Sequence, residues 1–258
     1  MPALVTGAGH RLGRAMAVAL AEDGHDVAVH YASSAAGAEE TVAEITALGR
    51  RAVALQADLL DHAATEALVP RAAEALGAPL SVLINNASIF EYDTLATATA
   101  DSWDRHIGSN LRAPVFLSQA FADQAPKPSV DAMGEPLAEA AIINMVDQRV
   151  RKLTPEFMTY TIAKMGLWAF TRTAAQALAP AIRVNAIGPG PTLQGGRQSA
   201  EHFAKQRAAT TLARGSNPAD IVGAMRYLLS APGVTGQLIC ADGGQHLAWQ
   251  TPDVLGVE

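Results

Sequence analysis

The segment Leu4-Val5-Thr6-Gly7-Ala8-Gly9-His10-Arg11-Leu12-Gly13 is the most informative about the fold. Two apolar residues lead into a glycine-rich turn, and the apolar residues after it recur at helical spacing as far as Leu20. Such a turn lets the backbone approach a pyrophosphate, and the N-terminus of the following helix adds N–H donors and a positive dipole. The turn fits T-G-x-x-x-R-x-G rather than G-x-G-x-x-G, because Leu12 stands where the last glycine would be. We therefore predict a dinucleotide site here, with a plain tight turn as the alternative.

Short apolar runs alternate with longer helical patterns along the rest of the chain. The runs predict strands at 27–29, 52–55, 82–84, 141–146, 182–185 and 237–240, and the periodic segments between them predict helices. Strands that are apolar throughout are buried on both faces, which indicates a parallel sheet covered by helices. With right-handed crossovers, the predicted fold class is α/β, a doubly wound parallel sheet with helices on both faces, in a single domain over residues 1–258.

Three segments carry expectations of their own. One helix face is predicted by four apolar residues, Trp103, Ile107, Leu111 and Phe116. Residues 123–139 are rich in Pro, Ala and Gly, which predicts a surface loop. Residues 190–216 are polar with glycines at both ends, which predicts a mobile lid.

Composition excludes several classes of function. The 258 residues include 19 Lys+Arg and 25 Asp+Glu, a net charge of −6, so there is no basic field for nucleic acid. Cys240 is the only cysteine, which excludes an intrachain disulfide and points to a reducing compartment. The sequence shows no secretion signal, no apolar run long enough for a membrane span and no histidine spacing typical of a metal site. We expect a soluble, cytoplasmic protein that acts on a small molecule without a metal.

The end of the second predicted strand indicates which nicotinamide cofactor would bind. An NAD site usually has an acidic residue there for the ribose 2′-hydroxyl, but this chain reads His30-Tyr31-Ala32-Ser33-Ser34. A carboxylate would repel a 2′-phosphate, so its absence favours NADP(H). The candidate partners of that phosphate are Arg11, His30, Ser33 and Ser34. Asp58 either binds the adenine amino group or only starts a helix.

Tyr160 and Lys164 form a candidate catalytic pair. They lie four residues apart in the predicted helix 158–178, so their side chains share one face. A cation held near a phenol favours the phenolate and lowers the phenol pKa, which suits an acid or base near neutral pH. Tyrosine and lysine often fall at this spacing by chance, so the pair by itself is weak support.

Further motifs follow in order: Asn85-Asn86-Ala87, Asn110, Pro189-Gly190 and Asp242-Gly243-Gly244. With the first turn and the Tyr160–Lys164 pair, they resemble the short-chain dehydrogenase/reductase family from Leu4 to about Gly244. The resemblance implies a single-domain Rossmann fold with a seven-stranded parallel sheet, usually in a tetramer. It implies Tyr160 as proton donor, Lys164 bound to the nicotinamide ribose, and Asn110 in a proton relay. The cofactor site would comprise Gly7, Arg11, Leu12, Gly13, His30, Ser33, Ser34, Asp58, Leu59, Asn86, Ala87, Lys164, Pro189 and Gly190.

Two departures from the usual family pattern narrow the resemblance. Arg11 replaces the middle glycine of the cofactor motif, and Asp147 replaces the serine expected about thirteen residues before Tyr160. Both are similar to pteridine reductases and bacterial dihydromonapterin reductases, as is the segment Asn86-Ala87-Ser88-Ile89-Phe90. Ser33, however, stands where pteridine reductases have an arginine for the 2′-phosphate.

That narrower resemblance implies a pterin site. Phe90 would stack on one face of the pterin, and Ser88 and Arg11 would bind its polar edge. Asp147 and Tyr160 complete the predicted substrate site, because a ring rich in N–H donors suits a carboxylate. Alternatively, Phe90 is a packing residue and Asp147 only caps the end of a strand.

Three hypotheses for function remain from the sequence. The first is NADPH-dependent reduction of a 7,8-dihydropterin such as dihydromonapterin, dihydrobiopterin or dihydrofolate to the tetrahydropterin. The second is reduction of a ketone or 3-oxoacyl thioester, against which Asp147 argues, because a carboxylate would repel the developing oxyanion. The third is a non-catalytic nucleotide-binding protein. Four basic lid residues either face solvent or meet an acyl-carrier protein: Arg197, Lys205, Arg207 and Arg214.

Overall fold

The structure is a computed structural model that describes residues 1–196 and 198–251. The strands are β1 (Pro2–Val5), β2 (Asp26–Tyr31), β3 (Ala52–Gln56), β4 (Val82–Asn85), β5 (Ser129–Val130), β6 (Pro136–Leu137), β7 (Ala140–Met145), β8 (Ile182–Pro189) and β9 (Leu238–Ala241). The helices are α1 (Arg11–Glu22), α2 (Ala35–Ala47), α3 (His62–Leu76), α4 (Ala100–Ile107), α5 (Ala113–Gln124), α6 (Met158–Leu178), α7 (Ala200–Ala208) and α8 (Pro218–Ser230).

Seven of the strands form one parallel sheet in the order β3-β2-β1-β4-β7-β8-β9. This confirms the predicted single-domain Rossmann fold with a doubly wound, seven-stranded sheet. The chain leaves β1 towards β2 and β3 and then returns to place β4 on the other side of β1. Ligands of such sheets bind at the carboxyl ends of the strands where the order reverses. The glycine-rich turn after β1 and the segment after β4 lie at that point.

Both faces of the sheet are covered by helices. In β1, Leu4 belongs to one buried cluster with Leu68 and Phe121, whereas Val5 belongs to another with Met16. Neighbouring residues of a strand point to opposite faces, so the apolar run of β1 fills both layers of the core. The apolar strands therefore place the turn after β1 on a rigid base.

The segment between β4 and β7 differs from the sequence prediction. A single helix face with Trp103 was predicted, but a π-helical turn over Gly108–Arg112 separates α4 from α5 and changes the helix phase of α5. Trp103 is 42% exposed, whereas His106 and Asn110 are fully buried. The inward face of α4 and the π-helical turn is thus polar, whereas α5 buries apolar residues such as Leu117 and Phe121. The predicted loop at 123–139 contains the end of α5 and the small antiparallel hairpin of β5 and β6.

Among the described helices, none is long and apolar enough to cross a membrane. Residues 252–258 lie outside the described part of the chain, so the predicted domain limit at residue 258 stays a prediction.

Candidate active site

The turn between β1 and α1 has no room for side chains at two of its glycines. A Cβ atom on Gly13 would lie 2.1 Å from the carbonyl oxygen of Gly7, and Gly7 itself has φ +63°. The side-chain amide of Asn86 donates to the carbonyl oxygens of Thr6 (2.8 Å) and Gly7 (3.2 Å). The Thr6 hydroxyl in turn accepts from the backbone N–H groups of Asn86 and Ala87, both at 2.9 Å. These bonds fix the turn against the end of β4.

Arg11 occupies the left-handed backbone region, with φ +54°. This conformation costs energy for a residue with a Cβ atom, and glycine is the residue that adopts it without strain. The guanidinium donates to the carbonyl oxygens of Leu193 (3.1 Å) and Gln194 (2.8 Å). In this structure Arg11 therefore links the cofactor turn to the first residues of the predicted lid.

A cavity of about 720 Å³ opens beside this turn. It brings together most of the predicted cofactor residues: Gly7, Arg11, Leu12, Gly13, His30, Ser33, Ser34, Asp58, Leu59, Asn86 and Ala87, together with Ser88. Its volume lies within the roughly 300–1,000 Å³ typical of small-molecule sites. Lys164, Pro189 and Gly190 are not part of its lining. The bare Gly13 backbone and the helix N-terminus beside it fit a pyrophosphate.

His30 is a structural residue, and its predicted role as a phosphate partner is wrong. Its side chain is 1% exposed, Nδ1 accepts from the Gly7 N–H (3.0 Å), and Nε2 donates to the carbonyl oxygen of Ala57 (3.1 Å). Burial lowers its pKa to about 4, so the ring is neutral. His10, which is absent from the predicted site, lies at the cavity wall with Nδ1 3.3 Å from the Ser34 hydroxyl. Its position next to Arg11 was the available sequence signal.

Asp58 does not start a helix, and its predicted contact with the adenine amino group stays a prediction. Its Oδ1 accepts from the backbone N–H of Leu60 (2.9 Å), which fixes the turn after β3. The N-cap of α3 is Asp61, whose carboxylate accepts from the Ala64 N–H at 3.2 Å. Asp58 is exposed at the cavity wall, so its carboxylate is available to a ligand.

Asp147 and Tyr160 are in direct contact. The Tyr160 hydroxyl donates to Asp147 Oδ2 over 2.9 Å, while Asp147 Oδ1 accepts from the Arg149 N–H at 2.8 Å and caps a short 3₁₀ helix, Gln148–Val150. Burial raises the pKa of Asp147. Burial, together with the charge and hydrogen bond of Asp147, raises the pKa of Tyr160 well above 10. Tyr160 is therefore held as a neutral phenol.

Lys164 is buried but does not bind the Tyr160 hydroxyl. Its Nζ donates to the carbonyl oxygen of Met145 (2.7 Å) and lies 5.7 Å from the centre of the Tyr160 ring. Burial lowers its pKa to about 8, against the opposing effect of the Asp147 charge. The prediction that Lys164 lowers the Tyr160 pKa is wrong for this structure, because burial and, after it, the nearer carboxylate of Asp147 raise that pKa.

Asn110, the predicted relay residue, clamps the segment after β4. Its side-chain oxygen accepts from the Ile89 N–H, and its amide donates to the Ile89 carbonyl oxygen, both at 2.8 Å. This pair of bonds fixes the backbone between Ser88 and Phe90. In this structure, the Asn110 side chain thus positions the two predicted substrate-contacting residues.

Three aromatic rings form a wall beside Asp147, here called the aromatic wall: Phe90, Phe157 and Tyr160. Phe90 stacks on Phe157 with ring centres 4.3 Å apart and an interplanar angle of 6°. The edge contact between Phe90 and Tyr160 has a centre distance of 4.7 Å. Phe90 is 45% exposed, so part of its ring packs within the aromatic wall and the rest is accessible to a ligand. Phe157 was missed, because its place in the wall comes from the αL turn, φ +55°, before α6.

A buried polar chain behind the wall was also missed. The Glu91 N–H donates to His106 Nε2 (3.1 Å), so His106 carries its proton on Nδ1 and donates to the Thr159 hydroxyl at 2.6 Å. That hydroxyl donates to the Asp93 carboxylate, which also accepts from the Thr159 N–H at 3.1 Å. Asp93 thereby caps the start of α6 at the residue directly before Tyr160.

The predicted lid at 190–216 contains α7 and is tied together at its two ends. The Arg207 guanidinium donates to the carbonyl oxygens of Pro191 (2.8 Å), Ser216 (2.6 Å) and Gly215 (3.1 Å). Lys205 pairs with Glu201 on the same helix (2.8 Å). Arg214 lies 3.5 Å from Asp220, and Arg197 is outside the described residues. The described lid cations are therefore engaged within the chain.

Gly190 and Asp242 close the site on the lid side. A Cβ atom on Gly190 would lie 2.6 Å from the Asp242 Cβ, so glycine is needed at this approach. The Asp242 carboxylate accepts from the N–H groups of Gly244 (3.0 Å) and His246 (2.8 Å). Among the described residues, no cluster of three side chains suits a metal ion.

A Rossmann fold with a glycine-lined turn at the point of strand reversal, and a tyrosine and lysine beside it, defines an oxidoreductase that uses a nicotinamide dinucleotide. The chain belongs to the short-chain dehydrogenase/reductase family: a family model described as enoyl-(acyl carrier protein) reductase matches residues 7–246.

Relatives with different substrates share this fold and length. FolM alternative dihydrofolate reductase 1 from Brucella canis, solved with NADP, is 40% identical with a TM-score of 0.90, covering 98% of this chain and 96% of that one. The landomycin C-6 ketoreductase LanV, solved with NADP and rabelomycin, is 30% identical with a TM-score of 0.83, covering 96% of each chain. The 3-oxoacyl-[acyl-carrier-protein] reductase FabG of Staphylococcus aureus is 33% identical over 250 residues, 95% of this chain and 98% of FabG.

Proposed function

We propose that the protein is an NADPH-dependent reductase of 7,8-dihydropterins, with Tyr160 as the proton donor. The observation that carries this proposal is the 2.9 Å hydrogen bond from the Tyr160 hydroxyl to Asp147. A carboxylate here suits a ring with N–H donors and would repel the oxyanion that a ketone develops during reduction. The 40% identity to FolM alternative dihydrofolate reductase 1 supports the same substrate class.

The residues of the cavity fit NADPH. The turn around Gly13 would hold the pyrophosphate. Lys164 lies outside the cavity lining and donates to the Met145 carbonyl oxygen, and it is the proposed partner of the nicotinamide ribose. Ser33, Ser34 and His10 line the cavity at the end of β2, where a carboxylate that would repel a 2′-phosphate is missing. When bound, NADPH supplies a hydride to the electrophilic ring carbon of the substrate.

The chain supplies the proton. Asp147 is ionised when Tyr160 gives its hydroxyl proton to the ring nitrogen next to the reduced carbon. Asp147 then takes a proton from solvent and passes it to the phenol oxygen. A tyrosinate beside an ionised Asp147 would be unfavourable, because burial and the carboxylate both raise the Tyr160 pKa. Burial raises the pKa of Asp147, so its carboxylate takes up a proton more readily than an exposed aspartate does.

Reduction of a carbonyl substrate is the second candidate function, supported by the similarity to FabG and LanV. An acyl-carrier protein would need exposed cations near the site. Arg207 makes internal bonds to its own lid, and Lys205 pairs within α7. Arg207 is therefore not available to an acyl-carrier protein, whereas Lys205, at 74% exposure, remains accessible.

The test is NADPH oxidation by the purified protein, followed by absorbance against two substrate panels. One panel contains 7,8-dihydrobiopterin, 7,8-dihydromonapterin and 7,8-dihydrofolate, and the other contains simple ketones and a 3-oxoacyl thioester. Turnover of the dihydropterins alone supports the proposal. Turnover of the carbonyls alone overturns it and leaves the family assignment in place.

Assembly and compartment are part of the same proposal. We expect a homotetramer in the cytoplasm, acting on a small molecule without nucleic acid or membrane. Apolar side chains on α4 and α6 are exposed in the single chain, with Trp103 at 42%, Ile162 at 41% and Met165 at 37%. Their burial between subunits would explain this surface. Light scattering after size-exclusion chromatography measures the subunit number.

A further inference from the structure

Arg149 lies against the aromatic wall, two residues after Asp147. Its backbone N–H donates to Asp147 Oδ1 over 2.8 Å, which fixes the start of the side chain. The guanidinium carbon lies 4.8 Å from the centre of the Phe157 ring, and Nη1 donates to the Thr154 hydroxyl over 2.6 Å. Stacking and this hydrogen bond hold the guanidinium in place beside the Phe90–Phe157 stack.

The guanidinium keeps most of its hydrogen-bonding capacity. An arginine side chain has five N–H donors in one plane. Within the part of the chain that the structure describes, the bond to Thr154 is the single hydrogen bond of the Arg149 side chain. It also forms no ion pair with a carboxylate of the described residues. Four donors therefore remain for a ligand.

The other cations around the site are engaged with the protein itself. Arg11 donates to two lid carbonyl oxygens, and Arg207 holds the two ends of the lid together. Arg105, at the cavity wall, pairs with Glu91 at 2.7 Å. Arg149 differs from all three, because its partner is a hydroxyl and an aromatic face rather than a carboxylate or several carbonyls.

Arg149 also faces the reacting groups. Its positive charge opposes the rise in the pKa of both Asp147 and Tyr160, so the guanidinium lies within electrostatic reach of each. The proposed substrate ring lies against Phe90, one ring away from the Phe157 face that Arg149 covers. A substituent that extends from this ring along the wall would meet the guanidinium.

We propose that Arg149 binds a carboxylate on the substrate's side chain, and that the enzyme favours dihydropterins that carry one. The planar guanidinium matches a carboxylate with two parallel hydrogen bonds. Since the whole chain carries a net charge of −6, an anionic substrate needs a local cation of this kind. The glutamate of 7,8-dihydrofolate has this chemistry, whereas the side chain of dihydrobiopterin is neutral. This inference rests on the proposed function.

The test compares an anionic and a neutral substrate in matched variants. Arg149→Gln removes the guanidinium, and Arg149→Lys keeps the charge but not the planar pair of donors. Arg151→Gln is the control, because it removes the same charge two residues away, where the guanidinium lies 5.8 Å from the Trp168 ring. For each protein, kcat/KM is measured for 7,8-dihydrofolate and 7,8-dihydrobiopterin. Dissociation constants for folate and 6-methylpterin are measured by quenching of tryptophan fluorescence.

We expect Arg149→Gln to lower the dihydrofolate-to-dihydrobiopterin ratio of kcat/KM about tenfold or more, because a hydrogen-bonded charge pair is lost. The folate-to-6-methylpterin affinity ratio should fall by the same factor, with Arg149→Lys intermediate and Arg151→Gln within about twofold of wild type. An unchanged ratio overturns the proposal. An equal loss for both substrates, with a shifted pH profile, also overturns it, because Arg149 would then act through Asp147.

Failure of the proposed function would look different. If wild-type protein reduces carbonyls and no dihydropterin, the same variants are compared on acetoacetate and its neutral ethyl ester. A selective loss on acetoacetate would keep the carboxylate-binding role of Arg149 while the pterin proposal fails. Equal losses on both would remove the two proposals together.

Discussion

Replacing Asp147 with asparagine tests the proposed proton path. The substitution keeps the shape of the side chain, and the amide oxygen can still accept from the Arg149 N–H, which lies 2.8 Å from Oδ1. The amide nitrogen replaces Oδ2, which accepts from the Tyr160 hydroxyl at 2.9 Å, and can donate to that hydroxyl instead. The substitution removes the group that returns a proton to Tyr160. A positioned general acid contributes about 10²- to 10⁴-fold. We therefore expect kcat for a 7,8-dihydropterin to fall about 100-fold or more.

The pH profile shows whether the lower kcat of Asp147→Asn comes from the missing proton donor to Tyr160. Since burial raises the pKa of Asp147, wild-type kcat/KM should rise as pH falls through that raised pKa, and Asp147→Asn should lose this rise. The assay is NADPH oxidation followed from acidic to mildly alkaline pH. Dissociation constants for NADPH serve as the control and should stay within about twofold, because the variant leaves the turn around Gly13 intact.

Stability should change in the opposite sense to activity. A carboxyl group whose pKa is raised by folding stabilises the fold below its unfolded pKa, and this contribution is lost as pH rises through the folded pKa. Asp147→Asn should therefore melt at a higher temperature than wild type at neutral pH, and the difference should shrink on acidification. A variant with normal kcat and an unchanged pH profile would refute the proton path.

Further predictions concern the donor, the turn and the lid. Tyr160→Phe should lower kcat at least about 100-fold while the NADPH dissociation constant, measured by fluorescence titration, stays near wild type; full activity would remove Tyr160 as donor. Gly13→Ala should abolish measurable NADPH binding, because its Cβ would lie 2.1 Å from a carbonyl oxygen. The control Gly223→Ala, whose Cβ would have nothing within 4 Å, should bind NADPH normally. Equal NADPH affinity in the two variants would contradict the fit of the turn. Arg207→Met should speed limited proteolysis of the lid several-fold, because the bonds that tie the two ends of the lid are lost. Lys205 is 74% exposed in a surface ion pair, so Lys205→Met should leave the rate of proteolysis unchanged. Equal rates of proteolysis in the two variants would mean that Arg207 does not hold the lid.

The parts of the fold that sequence predicts are those encoded locally. The β1 strand, the turn at Gly7 and the helix after it lie within one short segment, where glycine spacing and apolar periodicity are visible. The placement of Asp147 beside Tyr160 came from the family resemblance, in which a serine is expected about thirteen residues before the tyrosine, and the structure brings the two side chains into contact.

The missed features depend on long-range packing. Asp93 meets Thr159 across 66 residues, and His106 meets Thr159 across 53, so no sequence window contains the chain of hydrogen bonds. The neutral state of His30 and the high pKa of Tyr160 come from burial, which composition does not reveal. The π-helical turn at Gly108–Arg112 rotates the side chains that follow it relative to those before it. The apolar spacing of the sequence there still looks like that of one regular helix.

In the proposed reaction, Asp147 is the residue that makes the site selective for dihydropterins over carbonyls. The decisive measurement is the ratio of kcat/KM for a 7,8-dihydropterin to kcat/KM for acetoacetyl thioester, in wild type and in Asp147→Ser. We expect wild type to favour the dihydropterin strongly and the serine variant to shift the ratio towards the carbonyl, because the charge that repels an oxyanion is gone. A wild-type enzyme that favours the thioester, or a ratio unchanged in Asp147→Ser, would contradict this role of Asp147.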